Sequence, residues 1–222
     1  MAGKRGSFIT FEGIDGCGKT TQLEMLAERL RALNMPVTRA REPGGTAVGD
    51  AIRRILLDSA TVRLAPVAEV LLYFASRAQN VDEIISPALE SGRVVLCDRF
   101  VDASAAYQGA GRGLGWELIE NLERIACRGV KPHLTFILDI EPATSVSRAL
   151  ERNRDAAGAG AADESRFERE SLEFFSRVRG AYLEIAAREP GRVVVIDGER
   201  SRQTVQEDVW RHVQRLLEIS QE

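Results

Sequence analysis

Lysine is scarce in this sequence. Only Lys4, Lys19 and Lys131 stand among its 30 basic residues, and the rest are arginine. Histidine occurs twice and cysteine three times, at Cys17, Cys97 and Cys127, odd in number and far apart. That spacing fits neither a disulfide framework nor a zinc site, so reduced thiols in a reducing compartment are expected. No His or Cys constellation points to nucleophilic catalysis. Apolar runs stay well short of the roughly 20 residues that cross a bilayer. The first residues lead into a brief apolar stretch that Glu12 interrupts, too short for a secretory signal. A cytoplasmic protein with no membrane partner is expected. Charge of one sign is lacking too: 30 basic against 33 acidic residues give a net charge of −3. That balance argues against a nucleic-acid partner held by non-specific attraction.

The 222 residues are 44% hydrophobic and 28% charged, the mix of an ordinary globular protein. A chain this long buries about 70% of its unfolded surface and needs no staple. A single domain over residues 1–222 is expected. Short apolar runs at 7–12, 37–41, 93–98, 134–140 and 193–196 read as strands. Helical periodicity covers 19–33, 48–57, 67–89, 116–127 and 203–217. Pro142 suits the first turn of a further helix, where its missing N–H is no loss. Ser165-Arg166-Phe167-Glu168 reads as a capping box opening a helix, with Phe167, Phe174, Phe175, Val178 and Tyr182 on its apolar side. Strands alternating with helices imply βαβ units, hence an α/β fold with a parallel sheet covered by helices. The small-residue stretch 155–163 has arginines on either side and reads as a surface loop or a mobile lid.

Gly13-Ile14-Asp15-Gly16-Cys17-Gly18-Lys19-Thr20 fits the pattern G-x-x-x-x-G-K-[ST], with a strand before it and a helix after it. Glycines let successive N–H groups converge on phosphate oxygens, and the helix adds its positive end. Lys19 supplies a cation to the terminal phosphates of ATP, and the Thr20 hydroxyl is a ligand for Mg²⁺. Asp98, at the carboxyl end of a buried strand, is the second acid for that ion.

The acceptor follows from what accompanies the loop. A GTP switch carries Asn-Lys-x-Asp, which is absent here. A kinase acting on an alcohol benefits from a general base. One acting on a phosphate monoester has an anionic nucleophile already and needs cations to bring two anions together. The chain is rich in arginines placed for that work: Arg41, Arg53, Arg77, Arg99, Arg112, Arg148, Arg152, Arg154 and Arg166. Phosphate-to-phosphate transfer is the reaction this pattern favours.

Five blocks carry a resemblance. They are Phe11 to Thr21, Arg41-Glu42-Pro43-Gly44-Gly45-Thr46, Phe74-Ala75-Ser76-Arg77-Ala78-Gln79, Asp98-Arg99-Phe100 and Ala106-Tyr107-Gln108-Gly109. With them the sequence resembles the bacterial thymidylate kinases nearly end to end. The resemblance implies a P-loop NTPase fold, a five-stranded parallel sheet in the order 2-3-1-4-5, and transfer of the γ-phosphoryl of ATP to dTMP. Gly13, Ile14, Asp15, Gly16, Cys17, Gly18, Lys19, Thr20 and Thr21 would hold ATP, with Thr20 and Asp98 on Mg²⁺. Asp15 would face the acceptor 3′-hydroxyl, Phe74 stack on thymine and Arg77 donate to a thymine carbonyl. Arg99 and Arg53 would hold the acceptor phosphate. Glu42 and Pro43 would shape a rigid loop against the nucleoside, which Ser104 adjoins and Tyr107 and Gln108 close over.

The family divides by whether its catalytic arginine lies in the phosphate loop or in the lid. Gly16 follows Asp15 here, so the resemblance is to the lid type, with a lid at about 148–166. Arg148, Arg152, Arg154 and Arg166 are its candidates, and Arg152 is preferred. Lys19, Arg99, Arg152 and Asp15 then form the catalytic set. Where the family often has Asp-Ser-Ser, this chain has Asp102-Ala103-Ser104, one hydroxyl fewer beside the nucleoside. Adenine is expected at 197–202, and a homodimer through the helix 67–89. The rival readings are another nucleoside monophosphate or deoxynucleoside kinase, and a non-catalytic ATP-binding regulatory module.

Overall fold

The computed structural model describes residues 5–58, 64–145, 147–148 and 166–219. Five strands, β1 (Phe8–Glu12), β2 (Val37–Arg41), β3 (Val94–Asp98), β4 (Leu134–Asp139) and β5 (Val193–Asp197), form one parallel sheet in the order β2-β3-β1-β4-β5. This is the strand order that the family resemblance implies. Every residue of central β1 is buried, whereas the edge strands β2 and β5 alternate between buried and accessible positions. A strand covered on both faces reads as a continuous apolar run, whereas an edge strand has accessible positions that can be polar, as Thr38, Arg39 and Arg41 are in 37–41. The register sets Phe11 beside Asp98, and Arg41 beside Asp98 on the other side. The carboxyl ends of β1 and β3 therefore finish together.

Among the described residues the helices with full bounds are α1 (Lys19–Ala32), α2 (Ala47–Leu57), α3 (Pro66–Asn80), α4 (Ser86–Glu90), α5 (Val101–Ser104), α6 (Trp116–Cys127), α7 (Leu172–Arg188) and α8 (Arg202–Leu217), and 142–145 and 147–148 are helical as well, as Pro142 predicts. Helices α1 and α8 pack together against the sheet. Arg29 on α1 pairs with Glu207 at 2.8 Å and lies 4.2 Å over the Trp210 ring, while Gln22 donates to the Arg202 carbonyl. A second group pairs α3 with α6 and α5 with α7, and α7 lies against β4 and β5. Among the described residues no helix is long and apolar enough to cross a membrane.

Three departures from the sequence reading have physical reasons. The helix expected over 67–89 is one rod in three parts, because α3 passes through a π-helical turn, Val81–Ile85, into α4. The turn lies just before Pro87, which has no N–H to continue the ladder. The helix expected to open at the capping box opens instead at Leu172, where the Ser171 hydroxyl accepts the Phe174 N–H. Arg166–Arg169 is a 3₁₀ turn, and Phe167 leaves the helical face to set its ring edge-on to Tyr107, 5.6 Å away. Ser165 itself lies outside the described residues. The third departure is a helix with no sequence signal. α5 continues as a π-helical stretch, Ala105–Gly111, and all but one residue from Val101 to Gly111 is buried. A helix buried all round has no amphipathic period to detect. Its small residues allow close approach: a Cβ on Gly111 would come within 2.7 Å of the Phe174 ring.

Candidate active site

Between β1 and α1 the chain turns through Gly13, Gly16 and Gly18, all at positive φ. At Gly13 a Cβ would also stand 2.5 Å from the Leu138 carbonyl, so only glycine fits. Lys19, only 7% exposed, folds back so that Nζ donates to the carbonyls of Gly13 at 3.1 Å and Ile14 at 3.0 Å. Ser145, beyond β4, donates to the Asp15 carbonyl and pins the loop from outside. Cys17 is buried beneath it, and that burial pushes its thiol up and keeps it protonated despite nearby Lys19 and Arg99. It packs the loop and is not a reactive thiolate.

At the amino end of α1 the Thr20 hydroxyl donates to Asp98 Oδ2 at 2.7 Å. A hydroxyl and a carboxylate are the hard oxygen donors that suit Mg²⁺, an ion that keeps its other positions for water and phosphate. Among the described residues no cluster of three or more His, Cys, Asp or Glu is arranged to hold a metal ion.

Arg99 follows directly, with φ of 70° in the left-handed region, rare for a side chain of this size. Its N–H donates to the Phe11 carbonyl at 3.0 Å, which ties β3's exit to β1. The guanidinium donates to Asp15 Oδ1 at 2.7 Å, the Gly13 carbonyl at 3.0 Å, and the hydroxyls of Tyr107 at 3.2 Å and Tyr182 at 3.3 Å. Burial opposes its charge, yet Tyr107, Asp15, Tyr182 and Glu12 hold it protonated well above its usual range. Behind it, Tyr182 donates to Glu12 Oε2 at 2.9 Å, and the Phe100 N–H donates to Glu12 Oε1 at 2.6 Å. Glu12 is fully buried. That burial, with the Asp102 charge, pushes its carboxyl from the usual 4.5 up to about 8, against the pull of Arg99.

A second buried cluster centres on Arg77, 1% exposed. It donates to Glu42 Oε2 at 2.6 Å, Ser104 Oγ at 3.1 Å and the Phe100 carbonyl at 2.8 Å, and lies 4.5 Å over the Phe74 ring. Burial raises the Glu42 carboxyl, and Arg77 works against that shift. The Glu42–Pro43 bond is cis, and the loop after it is held at several points. Gly44 N donates to Ser76 Oγ, Gly45 N to Asp50 Oδ1, and Arg53 to the Pro43 carbonyl at 2.9 Å. Gln108 turns to Glu69, donating to Oε1 at 2.9 Å.

The residues expected from the sequence thus fall into three joined groups. Lys19, Thr20 and Asp98 lie at the phosphate loop; Asp15, Arg99 and Tyr107 lie beside it; Glu42, Pro43, Arg53, Phe74, Arg77 and Ser104 form the far wall. Of the lid arginines, Arg148 donates to the Gly198 carbonyl, and Arg166 pairs with Glu69 at 2.8 Å. Arg152, Arg154 and the stretch 155–163 lie outside the described residues. Sequence reasoning missed the work of Glu12, Glu69, Ser76, Ser145 and Tyr182. The one usable signal was Glu12, an acid ending an otherwise uninterrupted core strand.

A glycine loop capping a helix, with a buried arginine cradle beside it at the carboxyl ends of β1 and β3, defines a P-loop phosphotransferase architecture. The model of the family "Thymidylate kinase" matches residues 11–209. A thymidylate kinase from Geobacter sp. (strain M21) is 53% identical over 215 residues, covering 95% of this chain and 94% of that protein. One from Citrifermentans bemidjiense is 55% identical over 193 residues, covering 87% and 84%. Among solved structures, the thymidylate kinase from Ehrlichia chaffeensis superposes with a TM-score of 0.75 at 34% identity, covering 95% of this chain and 99% of that one. The chain belongs to the thymidylate kinase family.

The buried Glu12 gives a pH prediction. Unfolded, it ionises near 4.5; folded, it holds its proton to about 8. Between those values the folded state binds the extra proton, so stability falls as pH rises, by up to about 1.4 kcal/mol per unit. Glu12→Gln keeps an acceptor for Phe100 and an amide for the Tyr182 oxygen but cannot titrate. Urea unfolding at pH 5.5 and pH 8 is expected to show a drop in wild-type stability that shrinks by about 1–3 kcal/mol in the variant. An equal drop in both proteins would contradict the assignment.

Proposed function

We propose that the chain is a dTMP kinase, transferring the γ-phosphoryl of ATP to dTMP to give ADP and dTDP. The observation that carries this reading is the position of Arg99. One guanidinium reaches the phosphate loop through Gly13 and Asp15 and the acceptor wall through Tyr107. A donor phosphate and an acceptor phosphate meet at that single cation, which offsets their repulsion. An oxygen of the dTMP phosphate forms the new bond to the γ-phosphorus as its bond to the β-phosphate oxygen breaks and ADP leaves. The acceptor's second ionisation lies near 6, so no protein base is required. Lys19 would leave its carbonyl partners for the phosphates. Thr20 and Asp98 fit Mg²⁺, which supplies charge neutralisation when bound.

On the acceptor side, Phe74 is the face for the thymine ring. Glu42 and Ser104 hold the Arg77 fork in one plane, the condition for directional donation to a base carbonyl. Asp15 faces the sugar 3′-hydroxyl, and Tyr107 and Gln108 complete the enclosure. Arg152 supplies the remaining cation from the lid. That choice is supported by the engagement of Arg148 with the loop after β5 and of Arg166 with Glu69. The loop 197–202 receives adenine. The chain acts as one P-loop kinase domain in the cytoplasm. It pairs as a homodimer through the helix 67–89, whose Val67 and Leu71 are half exposed; a light-scattering mass of one chain would contradict the pairing.

The test is ADP release from ATP and Mg²⁺ with dTMP, dUMP, dCMP, dGMP, AMP and thymidine. A strong preference for dTMP is expected, with turnover lost by at least about a hundredfold in Arg152→Ala. Comparable dUMP turnover would mean that Ala103 has relaxed base selection. A preference for another acceptor would favour a different nucleotide kinase. Tight ATP binding with no turnover of any acceptor would favour the regulatory module.

A further inference from the structure

Glu69 lies in the first turn of α3, outside every motif, and its side chain has no exposure to solvent. Three groups from two segments converge on its carboxylate. Gln108, from the buried helix 101–111, donates Nε2 to Oε1 at 2.9 Å. Arg112, just past that helix, donates Nε to Oε1 and Nη2 to Oε2, both at 3.3 Å. Arg166, from the 3₁₀ turn, brings Nη1 to Oε2 at 2.8 Å. Both guanidiniums have second attachments: Arg112 to Glu170 at 2.7 Å, and Arg166 to the Leu56 carbonyl at the end of α2.

The two arginines also flank Phe167, with Cζ 4.4 Å from the ring centroid for Arg166 and 5.4 Å for Arg112. Phe167 in turn meets Tyr107 edge-on. One buried carboxylate therefore holds Gln108 directly and Tyr107 through two cations and a ring. A fully desolvated carboxylate needs such partners, and each partner is fixed by it in return.

We infer that Glu69 is a positioning residue for the acceptor wall, setting Gln108 and Tyr107 for the nucleoside without touching substrate itself. This rests on the reading of the chain as a dTMP kinase, and it deepens that reading by adding a residue no sequence pattern indicated. Its chemistry predicts a one-sided defect. The groups it holds face the acceptor, whereas Lys19, Thr20 and Asp98 bond to none of them.

The experiment is steady-state kinetics of the full chain, with KM for dTMP and for ATP measured separately. In Glu69→Gln, isosteric but uncharged, KM for dTMP is expected to rise about tenfold or more while KM for ATP moves less than about twofold. Glu69→Asp, which restores the charge on a shorter arm, is expected to recover part of the loss. Arg112→Met breaks the same node from its other side and provides the test if Glu69→Gln does not fold. It should raise KM for dTMP several-fold, and the double variant should be little worse than Glu69→Gln alone, because both act through one contact. An unchanged KM for dTMP in the folded variants, or equal losses for both substrates, would overturn the role of Glu69. Failure of the unmodified chain to phosphorylate dTMP would overturn the functional reading, and this inference with it.

Discussion

The site depends on the hydrogen-bonded ion pair between Arg99 and Asp15 at the carboxyl ends of the two central strands. Parallel pairing of β1 with β3 delivers both residues to one place, since Phe11 and Asp98 lie side by side and each strand's next turn carries one partner. The Arg99 N–H closes the junction on the Phe11 carbonyl. A left-handed backbone at Arg99 is unfavourable for such a residue, and the surrounding hydrogen bonds over-determine it. Strain at this point aims the guanidinium at the phosphate loop and at Tyr107 and Tyr182 together.

Two buried carboxyls support that arrangement in different ways. Glu42 is matched by a direct ion pair to Arg77, so its charge has a partner at 2.6 Å. Glu12 has no such contact and accepts from a backbone N–H and the Tyr182 hydroxyl; burial then favours its neutral form. The first device fixes the Arg77 guanidinium in one orientation against Glu42, Ser104 and the Phe100 carbonyl. The second holds the turn that carries Arg99 without adding an anion behind the phosphates. Tyr107 and Tyr182, whose burial holds both hydroxyls protonated, bridge the two halves. Little has to reorganise as charge develops, the condition for electrostatic catalysis without a general base.

The sheet was legible because buried parallel strands are continuous apolar runs, and the phosphate loop because its glycines and Lys19 have fixed spacing. Thr20 and Asp98 could be paired on paper because the motif and the strand end are both local signals. The acceptor wall was legible only as a set of blocks. Nothing in the order of residues shows that Arg77 reaches Ser104, or that Gln108 turns to Glu69. The helix 101–111 was hidden by uniform burial, and the start of α7 was misplaced because the capping-box pattern at 165–168 leads into a 3₁₀ turn while Ser171 caps the helix. Tyr182 read as one more apolar position because the hydroxyl matters only where it meets Glu12. Long-range polar partnerships are decided by packing, and packing is what a local pattern cannot express.

The central claim is that Arg99 joins a donor site to an acceptor site. Calorimetric titration of Arg99→Ala with dTMP and, separately, with ATP in the presence of Mg²⁺ tests it most directly, after circular dichroism shows the variant folded. Loss of a charged hydrogen-bond partner predicts dTMP binding weaker by about 10–100-fold. ATP binding is expected to change far less, because Lys19 and the loop remain. Undiminished dTMP affinity in the folded variant would contradict the account.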